Sequence, residues 1–152
     1  MEGLGTTLRK LLDALDSDVQ AHYDASGSGF RPRYYPVARL LLAHGSCSIR
    51  SMADQTGVSH SAVSQTVTEM RAAGLVTSAP GKDGRERLVS LTDAGQAACA
   101  RLQPLWSAVE RAAALLDAEL SASLRALLRE TQARLDERSF ASRIADQLQE
   151  PD

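Results

Sequence analysis

Six side chains between Ser59 and Thr68 carry hydrogen-bonding groups at a spacing that suits one end and face of a helix. They are Ser59, His60, Ser61, Ser64, Gln65 and Thr68. The serine and threonine hydroxyls both donate and accept, and they are short enough to reach a phosphate or a base edge. A glutamine amide presents one acceptor beside its donors, the pairing that adenine N6 and N7 require in a major groove. An uncharged, polar, short-chained face of this kind suits a helix that lies in that groove.

The flanking sequence contains what is needed to hold such a helix. From Ser48 to Ala73 the chain reads SIRSMADQTGVSHSAVSQTVTEMRAA, a helix, a tight turn and a second helix. Val63, Val67 and Met70 fall on one side of the second helix at i, i+4 and i+7, opposite the polar face. Ser59 is placed to N-cap it, accepting from an otherwise orphan backbone N–H. Gly57 follows the first helix, where the turn passes through positive φ. Ala53 is small where the two helices cross, and Val58 is expected to tuck beneath the turn. Two short amphipathic helices joined by a glycine would show much of the same pattern, so the stretch beyond it matters.

After Gly74, residues 75–79 (LVTSA) read as a strand and residues 85–91 (RERLVSL) as its return. The turn residues PGKDG lie between them. A hairpin directly after a reading helix is a wing, and its tip offers Lys82, Arg85 and Arg87. Arginine on a thin hairpin can enter a minor groove, where the negative potential is enhanced. The alternative is a solvated surface hairpin.

The remaining elements read as helices. Leu4, Leu8, Leu11, Leu12, Leu15 and Val19 give an amphipathic helix from about Leu4 to Tyr23. DASGSG ends it, and two prolines, Pro32 and Pro36, lead into a core helix that stops at Gly45. Residues 46–48 are a candidate third strand. Thr92 is a candidate cap for a helix from Asp93 onward, with a kink or restart expected at Pro104. Residues 117–121 mark a junction, followed by one last helix carrying Leu120, Leu124, Leu127, Leu128, Leu135 and Ile144. The outer helices have apolar stripes with no evident cover in the chain, which suggests a two-fold dimer.

Composition agrees with this plan. Of 152 residues, 43% are hydrophobic and 24% charged, ordinary for a globular chain. The net charge of −2 hides an internal bias. Residues 31–93 carry eight Lys and Arg against five acids, whereas both flanks are acidic. The basic excess therefore surrounds the reading helix and wing, where phosphate attraction would use it. No apolar run suits a membrane span, and the N-terminal MEGLGTTLRK lacks a signal core, so a cytoplasmic location is expected.

With these motifs in view, the chain resembles the MarR (multiple antibiotic resistance regulator) family of bacterial transcription factors. The matching stretch runs from Leu40 to Gly95: LLAHG, SMADQTGVSHSAVSQTV, the M-x-x-x-G-L-V ending of the reading helix, Asp83 and Arg85 of the wing, and LTDAG. The resemblance implies a mainly α fold with a small β wing, a winged helix-turn-helix flanked by N- and C-terminal dimerisation helices. The division it suggests is 1–30 for an N-terminal dimerisation helix and loop, 31–93 for DNA binding, and 94–152 for C-terminal dimerisation helices. It further implies a homodimer on a pseudo-palindromic double-stranded DNA operator, a repressor of its own or an adjacent gene, and a possible effector pocket. In the family the wing arginine contacts the minor groove and the aspartate helps set it, roles that fall on Arg85 and Asp83. The charged residue often found on the family's reading helix is replaced here by Gln65 and Thr68.

Tyr34, Tyr35 and Trp106 are candidates to line a pocket for a small aromatic effector, although such residues are more often plain core. Cys47 and Cys99 read as packed free thiols, and family members that sense redox change use a cysteine in the first helix, which is absent here. His22, His44 and His60 lack paired-ligand spacing, so no metal site is expected, and no cofactor. No nucleophile–base motif or phosphate loop indicates an enzyme. The alternative to DNA binding is a winged-helix module for protein–protein contact.

Overall fold

In a computed structural model, described for residues 3–81 and 86–149, seven helices accompany three short strands. The chain divides into two compact units, residues 1–106 and 107–152, with the boundary inside the fifth helix.

The first unit opens with α1 (Leu4–Ala25) and a 3-10 turn (Pro32–Tyr34), followed by α2 (Tyr35–His44). Pro36 sits in the first turn of α2, where its missing N–H costs nothing, and Gly45 closes the helix at φ 76°. Val37, Ala38 and Leu41 of α2 are buried, as expected of a core helix. Strand β1 (Ser46–Ser48) leads into α3 (Ile49–Thr56), whose N-cap is the Ser48 hydroxyl accepting from Ser51 N–H at 3.2 Å. Gly57 turns the chain at φ 69°, and α4 (His60–Ala72) follows.

Strands β2 (Val76–Pro80) and β3 (Arg87–Leu91) form an antiparallel hairpin, with Val76 opposite Leu91 and Pro80 opposite Arg87. Strand β1 pairs with the other edge of β3, Cys47 opposite Val89, so the sheet order is β1-β3-β2. The expected third strand is therefore present. Helix α5 (Asp93–Ala118) begins beside this sheet. Thr92 Oγ1 accepts from Gly95 N–H at 3.0 Å and donates to the Gly74 carbonyl at 2.6 Å, so one hydroxyl caps α5 and ties it to the end of α4. Gly95 has a second reason to be glycine: a Cβ there would stand 2.0 Å from the Leu75 carbonyl oxygen. The helix passes through Pro104 without a restart.

Tyr23, Phe30, Leu41, Met52, Met70, Val89, Cys99 and Leu102 are the largest fully buried side chains, so α1, α2, the helix-turn-helix, the sheet and α5 share one core. The second unit comprises the end of α5, α6 (Leu124–Glu137) and α7 (Phe140–Gln149). The single last helix expected from sequence is thus two. Arg138 adopts φ −147°, ψ 117°, which is extended, and Ser139 Oγ accepts from Ser142 N–H at 3.1 Å to start α7 afresh. A residue that leaves αR followed by a good N-cap outweighs the continuous leucine pattern. The Asp117–Ser121 junction holds, with Asp117 reaching across it: its carboxylate accepts from Leu124 N–H at 2.7 Å. Hydrogen bonding, led by Ser123, holds that carboxyl below its usual range.

Candidate nucleic-acid interface

The reading helix is anchored by its inner face. Val63, Thr66, Val67 and Met70 are buried, while His60, Ser61, Gln65 and Thr68 are exposed and Ser64 is half-buried. At its start Ser59 Oγ accepts from Ala62 N–H at 3.3 Å and lies 3.2 Å from Ser61 Oγ. The cap read from sequence is therefore formed. Val58 is an exception to the expected packing: it is 41% exposed, because Gly57 at positive φ carries the next residue outward rather than beneath the turn. With Arg50, Asp54 and His60 it lines an open depression between α3 and α4.

The outer residues are not equivalent. Thr68 Oγ1 donates back to the Ser64 carbonyl at 2.9 Å, so its hydrogen is spent within the helix. Gln65 Nε2 donates to Glu69 Oε1 at 3.4 Å, one turn along. The other oxygen of Glu69 accepts from Arg33 Nε at 3.0 Å and from Tyr34 Oη at 3.3 Å, and Arg33 Nη2 closes the ion pair. These bonds, the one from Arg33 foremost, hold the Glu69 carboxyl below its usual range. Burial, followed by the adjacent Glu69 charge, pushes the Tyr34 phenol up. Sequence reasoning missed this cluster. Arg33 and Glu69 are 36 positions apart, and only the charge of Glu69, the one acid on the helix, hinted at a partner.

Of the wing cations, Arg87 lies at the loop end of the hairpin, opposite Pro80, exposed, with its guanidinium donating to the Ser78 carbonyl at 3.1 Å and to the Ser78 hydroxyl. Lys82, Asp83 and Arg85 lie outside the described residues.

Tyr34, Tyr35 and Trp106 do come together, within a larger aromatic cluster. Phe30 stacks against Tyr23, Tyr34 and Trp106 at 5.3–5.6 Å between ring centroids, and Tyr35 meets Trp106 edge-on at 5.1 Å. Trp106 Nε1 donates to Tyr23 Oη at 3.0 Å, so the buried indole is satisfied. Cys47 and Cys99 are free and buried, and burial pushes both thiols up. Among the described residues no group of three or more His, Cys, Asp or Glu is placed to hold a metal, and no helix is long and apolar enough to cross a membrane.

Residues 28–86 match the model of the MarR family, a span that takes in the core helix, the helix-turn-helix and the first strand of the hairpin. The likeness to the MarR family is carried by residues 28–86. Solved structures extend the likeness in fold to the whole architecture. A probable transcriptional regulator from Pseudomonas aeruginosa is 27% identical, covers 88% of this chain and 97% of its own, and superposes with a TM-score of 0.61. The M. tuberculosis transcriptional regulator MOSR, solved in complex with DNA, is 24% identical over 92% of this chain and 98% of its own, with a TM-score of 0.65. PcaV from Streptomyces coelicolor, in complex with its natural ligand, is 22% identical over 90% and 93%, with a TM-score of 0.60. No curated protein sequence matches the chain.

Proposed function

We propose that this protein is a member of the MarR family and a dimeric, sequence-specific DNA-binding transcriptional regulator, a repressor of its own or an adjacent gene. One observation carries the reading: α4 packs by its apolar face against a closed core and leaves Ser61, Gln65 and Thr68 exposed on the other. Gln65 is the base-reading residue, in the second turn of a helix whose N-terminal part faces the groove. Ser59, His60, Ser61, Ser64 and Thr68 position it on phosphates and sugar, and Lys82, Asp83, Arg85 and Arg87 supply the wing contact. The dimer rests on the apolar residues left uncovered on α1 and on the helices of the second unit. Release by a small aromatic effector draws on the cluster around Tyr34, Tyr35 and Trp106 and on the ligand complex of a structural neighbour.

The test is selection from a pool of duplexes with a randomised pseudo-palindromic centre. The protein should enrich one two-fold sequence, and Gln65→Ala should cost about 1–3 kcal/mol on that duplex and little on random DNA. Failure to enrich any sequence would remove the reading and favour a module for protein contact.

A further inference from the structure

We infer that Glu69 sets the base preference of the reading helix by fixing which way the Gln65 amide faces. The inference rests on the assignment of Gln65 as the reader. A carboxylate accepts hydrogen bonds and donates none, so the Gln65 group turned toward Glu69 must be its NH2, as the 3.4 Å contact shows. Gln65 Oε1 is then the end left for a partner outside the helix, beside the second amide hydrogen.

The orienting carboxylate is itself held. Arg33 and Tyr34 both bond to Oε2, leaving Oε1 for Gln65, so the division of labour between the two oxygens is built into the fold. Arg33 and Tyr34 belong to the turn before α2, outside the helix-turn-helix. An acceptor and a donor presented together match adenine N6 and N7. Guanine offers acceptors only, O6 and N7, and is served by an amide turned the other way, with NH2 outward. Glu69 thus acts as a positioning residue that favours adenine over guanine without touching DNA.

Duplex selection with the full chain tests this through the adenine-to-guanine ratio at the position that Gln65→Ala relaxes. Glu69→Gln keeps the shape but can either donate or accept, so the ratio should fall by about fivefold or more. Arg33→Met loosens the tether yet leaves the Gln65–Glu69 pair, so it should lower thermal stability and leave the ratio near wild type. Glu69→Ala gives the same readout should Glu69→Gln fail to fold. An unchanged ratio in the Glu69 variants, with Gln65→Ala still relaxing it, overturns the inference and leaves the reading role intact. Equal loss in Glu69→Gln and Arg33→Met also overturns it, since Glu69 would then be a structural tether alone. If wild type prefers a base other than adenine there, the inference falls and the Gln65 assignment stands; if Gln65→Ala relaxes nothing, the two fall together.

Discussion

The winged core and the two C-terminal helices treat their apolar residues in opposite ways. Among the described residues, every buried side chain lies between Tyr23 and Trp106, and α6 and α7 bury none. Yet α6 and α7 are amphipathic, with Leu127, Leu128, Phe140, Ile144 and Leu148 exposed, Phe140 at 61% and Leu148 at 82%. Helices of 14 and 10 residues are marginal in water without packing of an apolar face. The winged unit closes a core of its own, and α6 and α7 leave their apolar faces uncovered. The difference separates the task of presenting α4, which one chain completes, from the task of covering leucines, which a second copy would complete.

The sharpest break in that comparison is at the exposed stripe. Replacing Leu127 and Leu128 with Asp should convert a two-fold dimer into a monomer at micromolar concentration, read by light scattering as a halved mass. The winged unit's circular dichroism and thiol burial should survive. A wild-type protein that is already monomeric would show that no second copy covers these residues.

The closed core should break elsewhere and independently. Gly95→Ala forces a Cβ to within 2.0 Å of the Leu75 carbonyl, which neither backbone can avoid. A loss of about 3 kcal/mol or more is expected in thermal or urea unfolding, among the larger effects of a single added methyl. Tyr23→Phe is milder. It removes the phenol that accepts from buried Trp106 Nε1, and should cost about 1–2 kcal/mol while shifting tryptophan fluorescence.

These sites also show what was legible in the sequence. Gly57, Ser59, Gly45 and the Val63–Val67–Met70 stripe act through neighbours within a turn or two, and local pattern found them. The third strand was legible because residues 46–48 are short and extended between two helices. Asp117 bonding to Leu124, and the new start at Ser139, were hidden beneath a leucine repeat that continues across the break. The Tyr23–Trp106 bond spans 83 positions and the Arg33–Glu69 pair 36, distances at which no periodicity applies. Gly95 looks like any helical glycine until Leu75 is folded against it. Charge arithmetic did locate the basic excess, but it counted Arg33 toward DNA when its guanidinium is bound to Glu69.

That pair gives the smallest expected effect. The Glu69 carboxyl is held below its ordinary value, chiefly by the hydrogen bond from Arg33, so the folded chain takes up its proton less readily than the unfolded chain. The pair's stabilisation is therefore complete above the unfolded value, about 4.3, and is lost as pH falls through the lower folded value. Arg33→Met should lower the melting temperature slightly at about pH 7, and the gap from wild type should narrow as the pH falls below the usual carboxylate range. Added salt should narrow it too, since the Arg33 side chain is half-exposed and an exposed pair is screened. Arg33 also lies over the Tyr34 ring, 6.0 Å from its centroid, an attraction that does not depend on the carboxylate. A gap that persists unchanged below that range would assign the stabilisation to that ring contact, and the carboxylate would then serve Gln65 and the reading face rather than the core.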